Sequence, residues 1–309
     1  MPYVLFALLC FLWGTNFILM KKAGLWFSSA HVGLWRVVGG ALLLAAIQLW
    51  DRRPWSVQRR DLLPLLGIAL FGYAYPFIVQ PFLVRECGSG FIGIMVSFVP
   101  LLTVVVSIPI LGVRPTPRQL IGVLGGLGFL LLILKDGLDR QVSLYHFALA
   151  IAVPLLYAVC NTFIKRRFVA VRPLPLALTC LALSLLVMVP AAGLGPRNTT
   201  GQAKDFLLAV VSVTILGVLG TGLGALIFTK LLQDHGPLFA SMVTYLIPTI
   251  ALVWGWMDEE PITISQIVGL AGALSMVAIV QYGAASHTPA RAGPVLNEGG
   301  HDAQEPIDR

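Results

Sequence analysis

Runs of apolar residues, broken by short clusters of charged or turn-forming residues, recur along the chain at about 2–20, 30–50, 62–84, 88–112, 119–134, 144–164, 173–194, 206–229, 236–257 and 263–284. Nearly every run approaches the roughly 20 residues that an α-helix needs to cross hydrocarbon at about 1.5 Å per residue; the run 119–134 is short. Strands of a membrane barrel would be about half as long and would alternate apolar with polar positions. The pattern therefore predicts an all-α polytopic membrane protein with ten transmembrane helices. No basic leader precedes the first run, and no small-residue cleavage pattern closes it before Lys21 and Lys22, so it reads as a retained span rather than a signal peptide. Residues 285–309 are polar, rich in Gly, Pro and Ala, and end in Glu298, Asp302, Glu305 and Asp308; they read as a disordered cytoplasmic tail.

Composition agrees with lipid as the solvent. Of 309 residues, 57% are hydrophobic and 11% charged, against about 25% charged in a soluble domain, and the mean hydropathy is +0.86. A secreted disulfide scaffold, a nucleic-acid reader and a cytosolic enzyme are excluded. The formal charge of +7 resolves into loop residues. With the N-terminus inside, thirteen of the 21 basic residues fall in cytoplasmic segments, seven in outer ones, and Arg36 lies within a span. The positive-inside rule then puts both termini in the cytoplasm, in what reads as a bacterial inner membrane. Asn198-Thr199-Thr200 falls on an outer loop, where cysteine labelling at Thr200 checks the orientation. Cys10, Cys87, Cys160 and Cys180 lie far apart with no histidine at ligand spacing, so they read as apolar-like thiols, with no metal and no cofactor expected.

The chain also repeats itself. A shift of 147 residues places Gln119, Gly122 and Gly125 on Gln266, Gly269 and Gly272, the Q-x-x-G-x-x-G at the start of the fifth and tenth runs. Pro100 and Pro248 correspond with one residue of slippage, and Asn16 matches Asn161 at a shift of 145. Five helices per half is an odd number, which turns the second half upside down relative to the first. The expected organisation is two inverted five-helix repeats, 1–140 and 141–284, followed by the tail. Such repeats exchange conformations open to either side around a site near the midplane, which is transporter logic.

Residues Gly236-Pro-Leu-Phe-Ala-Ser-Met-Val-Thr-Tyr-Leu-Ile-Pro248, running on to Glu260 and Gln266-x-x-Gly269, resemble the EamA-type transporters of the drug/metabolite transporter superfamily. The Trp13-Gly-Thr-Asn16 opening and Arg36 are similar to the same family, and the resemblance covers roughly residues 3–284. It implies export or exchange of amino acids, nucleosides or other small metabolites by alternating access, and it names no single substrate. One departure stands out: the family pattern has a Glu after Leu-Gly in each half, supplied here by Glu260 in the second and replaced by Val113 in the first.

Candidate path residues are polar or aromatic positions inside spans. Arg36 is the one Lys, Arg, Asp or Glu deep in a run, where a charge costs about 2.5–3.5 kcal/mol on insertion scales. It is either a snorkelling side chain or a cavity-lining one, and Gly33 and Gly40 on its face favour the second. Trp13, Asn16, Phe17 and Met20 share one helical face at a comparable depth; they could line the same cavity, or Asn16 could be interhelical glue and Trp13 packing. Pro76 and Pro81 cannot donate to the carbonyls of Gly72 and Phe77, so their helix is expected to bend beside Tyr75 and Gln80. Pro100 and Pro248 free the carbonyls of Val96 and Thr244 in the same way, and can serve as gates or simple bends. Tyr157, Asn161 and Tyr245 complete the set. Gly122, Gly126, Gly217, Gly220 and Gly224 read as helix-packing faces.

No carboxylate lies inside a run, so a lipophilic cation has no counter-ion and the favoured substrate carries an anionic group. Rival readings are a lipid flippase or a non-transport scaffold. An intramembrane enzyme is disfavoured because neither HExxH, GxSxG nor a buried aspartate pair occurs.

Overall fold

The structure, a computed structural model, describes residues 2–52, 54–112, 142–194, 203–241, 243–260 and 262–281, with parts of 116–132. Among these residues every regular element is helical. We label the segments α1 (Pro2–Ala23), α2 (Ser29–Asp51), α3 (Arg59–Cys87), α4 (Ser89–Leu111), α5 (Leu144–Arg167), α6 (Pro173–Leu194), α7 (Asp205–Pro237) and α8 (Phe239–Met257). These eight are long and apolar enough to cross a membrane. A further helix, α9 (Ile264–Gln281), follows, with a shorter apolar stretch over Ile264–Met276. Within the expected helix at 119–134, the described residues 120–122, 124–126, 128, 129 and 132 are helical; the tail, the Asn198-Thr199-Thr200 loop and Val113 lie outside the described residues.

Boundaries follow local chemistry. Ser28 begins α2, its hydroxyl accepting the His31 N–H, and Ser143 begins α5 by the same bond to His146. Gly88 and Gly236, both at φ 89°, separate α3 from α4 and α7 from α8, so that single glycines reverse the chain where an L side chain would be strained. Two stretches are underwound to π geometry: Ala69–Ala74 in α3 and Leu216–Leu223 in α7. They open 147 residues apart, the offset of the sequence repeat.

Packing runs mostly between the halves. α1 packs along α8 and α4 along α5; α2 meets the π stretch of α7, and α6 meets that of α3; α2 also packs on α6, and α4 on α8. Each contact therefore has a mate when the halves are exchanged, or is its own. Glycines bring α2 and α7 into backbone contact: a Cβ on Gly40 would sit 3.0 Å from the Gly222 nitrogen, and one on Gly39 would sit 3.3 Å from the Gly217 Cα. This is the close approach that small residues allow in place of a hydrophobic driving force.

The bundle has two faces. At one, the C-terminal ends of α1 and α8 meet through Lys21, Lys22, Asp258 and Glu260. At the other, Arg172 reaches Asp51 at 2.7 Å and the Pro54 carbonyl at 3.2 Å, and Gln233 donates to the carbonyls of Phe168 and Val171. The C-terminal ends of α4 and α5 also meet at this Arg172 face, where Arg166 Nη1 donates to the Ile110 carbonyl at 2.8 Å.

Candidate functional site

The α2–α7 contact that the glycines permit carries Arg36 inward. A Cβ on Gly217 would lie 3.2 Å from the Arg36 Cα, so the backbones all but touch and the side chain turns toward the middle of the molecule. There it is 3% exposed. Its Nε donates to the Thr221 hydroxyl at 3.1 Å, Nη1 approaches the Met20 sulfur at 3.5 Å, and Cζ stacks 3.9 Å over the Phe77 ring. All three partners are neutral, and none of the ion pairs among the described residues involves Arg36. A buried guanidinium held by a hydroxyl, a thioether and a π-face retains donors and charge for a further partner.

The space it faces is a cavity of about 100 Å³ between the halves, lined by residues of α1 to α5, α7 and α8. Of the residues singled out in the sequence, Trp13, Asn16, Arg36, Gln80, Tyr157 and Asn161 all line it, along with Phe17 and Met20. Asn16 is 7% exposed, and its Oδ1 has no hydrogen-bond partner. Such an acceptor costs about 1–3 kcal/mol when left unmade. Gly220 makes room for it, since a Cβ there would collide with the Asn16 amide. Trp13 donates its indole N–H to the Gly220 carbonyl at 3.0 Å. Gly220 lies in the π stretch, where the ladder runs from each residue to the fifth before it, and Thr221 Oγ1 follows the same step to the Leu216 carbonyl.

Three further candidates are placed as follows. Tyr75 is not among the lining residues; its hydroxyl donates to the Leu149 carbonyl at 3.2 Å and ties α3 to α5. The side chain of Tyr245 lies outside the described residues. The prolines of α3 act through its backbone: the Phe77 carbonyl, which Pro81 cannot engage, packs against α2 at Gly33, where a Cβ would be 2.6 Å away. Just before Pro76, the N–H of Tyr75 reaches back to Leu70, five residues away, and closes the π stretch. Pro100 and Pro248 are buried within α4 and α8, beside the cavity-lining Val99 and Ile247.

Residues the sequence reading passed over are Tyr73, Phe77, Thr221, Phe228, Thr229 and Thr244, all on the cavity wall. Tyr73, Phe77 and Gln80, and likewise Thr221, Ala225 and Phe228, fall at i, i+4, i+7 spacing, a face that could have been read from the sequence. Trp13 and Phe228 stack at 4.9 Å between centroids. Among the described residues no group of three or more His, Cys, Asp or Glu is placed to hold a metal.

The model of the EamA-like transporter family matches this chain twice, over residues 1–135 and 145–282. The chain belongs to the EamA-like transporter family. A protein of Bacillus subtilis (strain 168) described as "Uncharacterized transporter YoaV" is 25% identical over 267 residues, covering 84% of this chain and 89% of that one. A solved structure described as "Crystal structure of protein" superposes with a TM-score of 0.64 at 17% identity, covering 91% of this chain and 96% of that one, a likeness of fold alone. As an EamA-family protein the chain is an integral membrane protein of a transporter family within the drug/metabolite superfamily. The two matches divide the cavity wall: Asn16, Arg36 and Gln80 come from the first, Tyr157, Asn161 and Thr221 from the second.

Proposed function

We propose that this protein is a secondary transporter, an exporter or exchanger, that moves small metabolites with an anionic group, such as amino acids, through the central cavity by alternating access. The observation that carries the reading is Arg36, buried at the cavity with only neutral partners and facing a wall that also holds the unpartnered Asn16 oxygen. The guanidinium receives the anionic group. Asn16 accepts from an N–H of the same solute, and the Trp13, Phe77 and Phe228 rings take its apolar part.

Ten spans in two inverted five-helix units, 1–140 and 141–284, fit this role. The ends of α4 and α5 share the Arg172 face, which supports one crossing between them, in the region of 119–134. The paired inter-half contacts and the matched π stretches favour a pseudo-two-fold in the membrane plane. With the Arg172 face in the cytoplasm, both termini are cytoplasmic and the Lys21 face is outside, in a bacterial inner membrane.

Purified protein in liposomes loaded with labelled amino acids tests the reading, with labelled lipids as the control for flippase activity. Arg36→Gln is expected to insert normally and to reduce solute movement to the protein-free background. Undiminished transport by this variant removes Arg36 from the path, and lipid movement without solute movement replaces the reading with the flippase one.

A further inference from the structure

The Lys21 face is joined by one ionic cluster made wholly across the two halves. Lys21, at the end of α1, pairs with Glu260 at 2.8 Å and Asp258 at 2.6 Å, just past α8, and Lys22 pairs with Asp258. The Ser89 hydroxyl donates to both Glu260 oxygens at 2.9 and 3.0 Å, and the backbone N–H groups of Ser89 and Gly90 donate at 3.3 Å each. One carboxylate thus caps the N-terminus of α4 and binds the end of α1, two elements of the first half held by a residue of the second.

The repeat locates the matching place at the Arg172 face, on the α4–α5 seam that is the mate of α1–α8. Lys21 corresponds to Arg166 at the offset that relates Asn16 to Asn161; Ser89 corresponds to Pro237 as Gly88 does to Gly236; Glu260 corresponds to Val113. The cation is kept, but the carboxylate is an isopropyl group and the capping serine is an imino acid with neither hydroxyl nor N–H. Arg166 donates to a neutral carbonyl, that of Ile110, two residues before Gly112. The Arg172–Asp51 pair on this face lies elsewhere, joining the end of α2 to the start of α6.

We infer that Glu260 is a one-sided latch: it holds the Lys21 face shut across the α1–α8 seam, and the loss of its counterpart at Val113 leaves the mated seam without one, so that the resting protein favours the conformation closed at the Lys21 face. The inference rests on the alternating-access reading. A ligand-free protein rocking between two states populates the one with more contacts to itself, and here the acid and its donor are missing together from one seam. Glu260 and Ser89 are positioning residues that set which side the cavity opens to, and neither lines it.

Cys160 supplies a probe, because it lines the cavity. In a chain carrying Cys160 as its one cysteine, with Cys10, Cys87 and Cys180 replaced by Ala, the rate of reaction with a membrane-impermeant thiol reagent is measured from each side of vesicles of known sidedness. Reaction is expected to be faster from the Arg172 face. Glu260→Gln should raise the rate from the Lys21 face by about tenfold. Val113→Glu, which restores the acid at the position the repeat matches to Glu260, should lower the rate from the Arg172 face. Rates indifferent to both substitutions overturn the latch and leave transport through the cavity standing. A thiol that reacts from neither face in any variant overturns the cavity reading and the latch with it.

Discussion

Asn16 shows how a single polar atom can report a binding site. Its oxygen is enclosed without a donor, so the folded protein carries the cost of desolvating it. Asn16→Ala should therefore leave the unfolding temperature of the detergent-solubilised protein level or higher while lowering solute transport about tenfold, the worth of one hydrogen bond. A fall in stability that matches the fall in transport would mean that Asn16 serves packing instead. At this scale the sequence was informative wherever a polar group interrupts an apolar helix: Asn16, Arg36, Gln80 and Asn161 stood out because a polar group there is costly, although interhelical glue for Asn16 and snorkelling for Arg36 stayed open. Tyr73, Phe77 and Phe228 were not, since an aromatic ring on an apolar helix reads equally well as facing lipid. In α3 the tyrosine on the cavity wall is Tyr73, while the Tyr75 hydroxyl donates to the Leu149 carbonyl.

Among the elements, α2 and α7 decide where the charge goes. Their contact leaves no room for a methyl group: a Cβ on Gly222 would lie 2.9 Å from the Gly40 Cα and 3.1 Å from its carbonyl oxygen. Gly222→Ala is expected to cost about 1–3 kcal/mol through overpacking and to lower the unfolding temperature, with Arg36 displaced from Thr221. Gly193→Ala, in α6 where a Cβ would meet nothing within 4 Å, should have the opposite sign, a gain of up to about 1 kcal/mol in helix propensity. Equal shifts for the two variants would show that the glycines act by propensity and not by approach. The helical character and rough limits of α1 to α9 followed from hydropathy alone, and the small-residue stripe at Gly217, Gly220 and Gly224 was legible as a packing face. The π stretches were not: one of them meets Trp13 and Asn16 at Gly220, a contact between segments more than two hundred residues apart that no local pattern encodes.

For the molecule as a whole, the cluster at the Lys21 face makes stability depend on acidity. Burial works to raise the carboxyl of Glu260, but hydrogen bonds from Lys21, Ser89 and Gly90 outweigh it and hold the group below its ordinary value; Lys21 and Lys22 do the same for Asp258. Carboxyls depressed in the folded state stabilise it fully above the ordinary range near about pH 4 to 4.5, and that contribution is lost as pH falls through the lowered values. The unfolding temperature should hold steady from neutral to mildly acid conditions and then drop. Glu260→Gln should start lower and drop less, and a variant that tracks the parent would place the acid sensitivity elsewhere. Glu260 was visible in the sequence, but its partners Lys21 and Ser89 sit at helix ends far away in the chain, so its role was not. The mated seams carry a consequence of their own. The most extensive contacts cross from one half to the other, so each half completes the packing of its mate. On the proposal of two inverted five-helix units, one such polypeptide threaded into the bilayer in both directions would form the same seams as an antiparallel homodimer. Fusion of two such copies would free each to diverge, and an acid kept in one and lost from the other is an asymmetry that identical subunits could not hold.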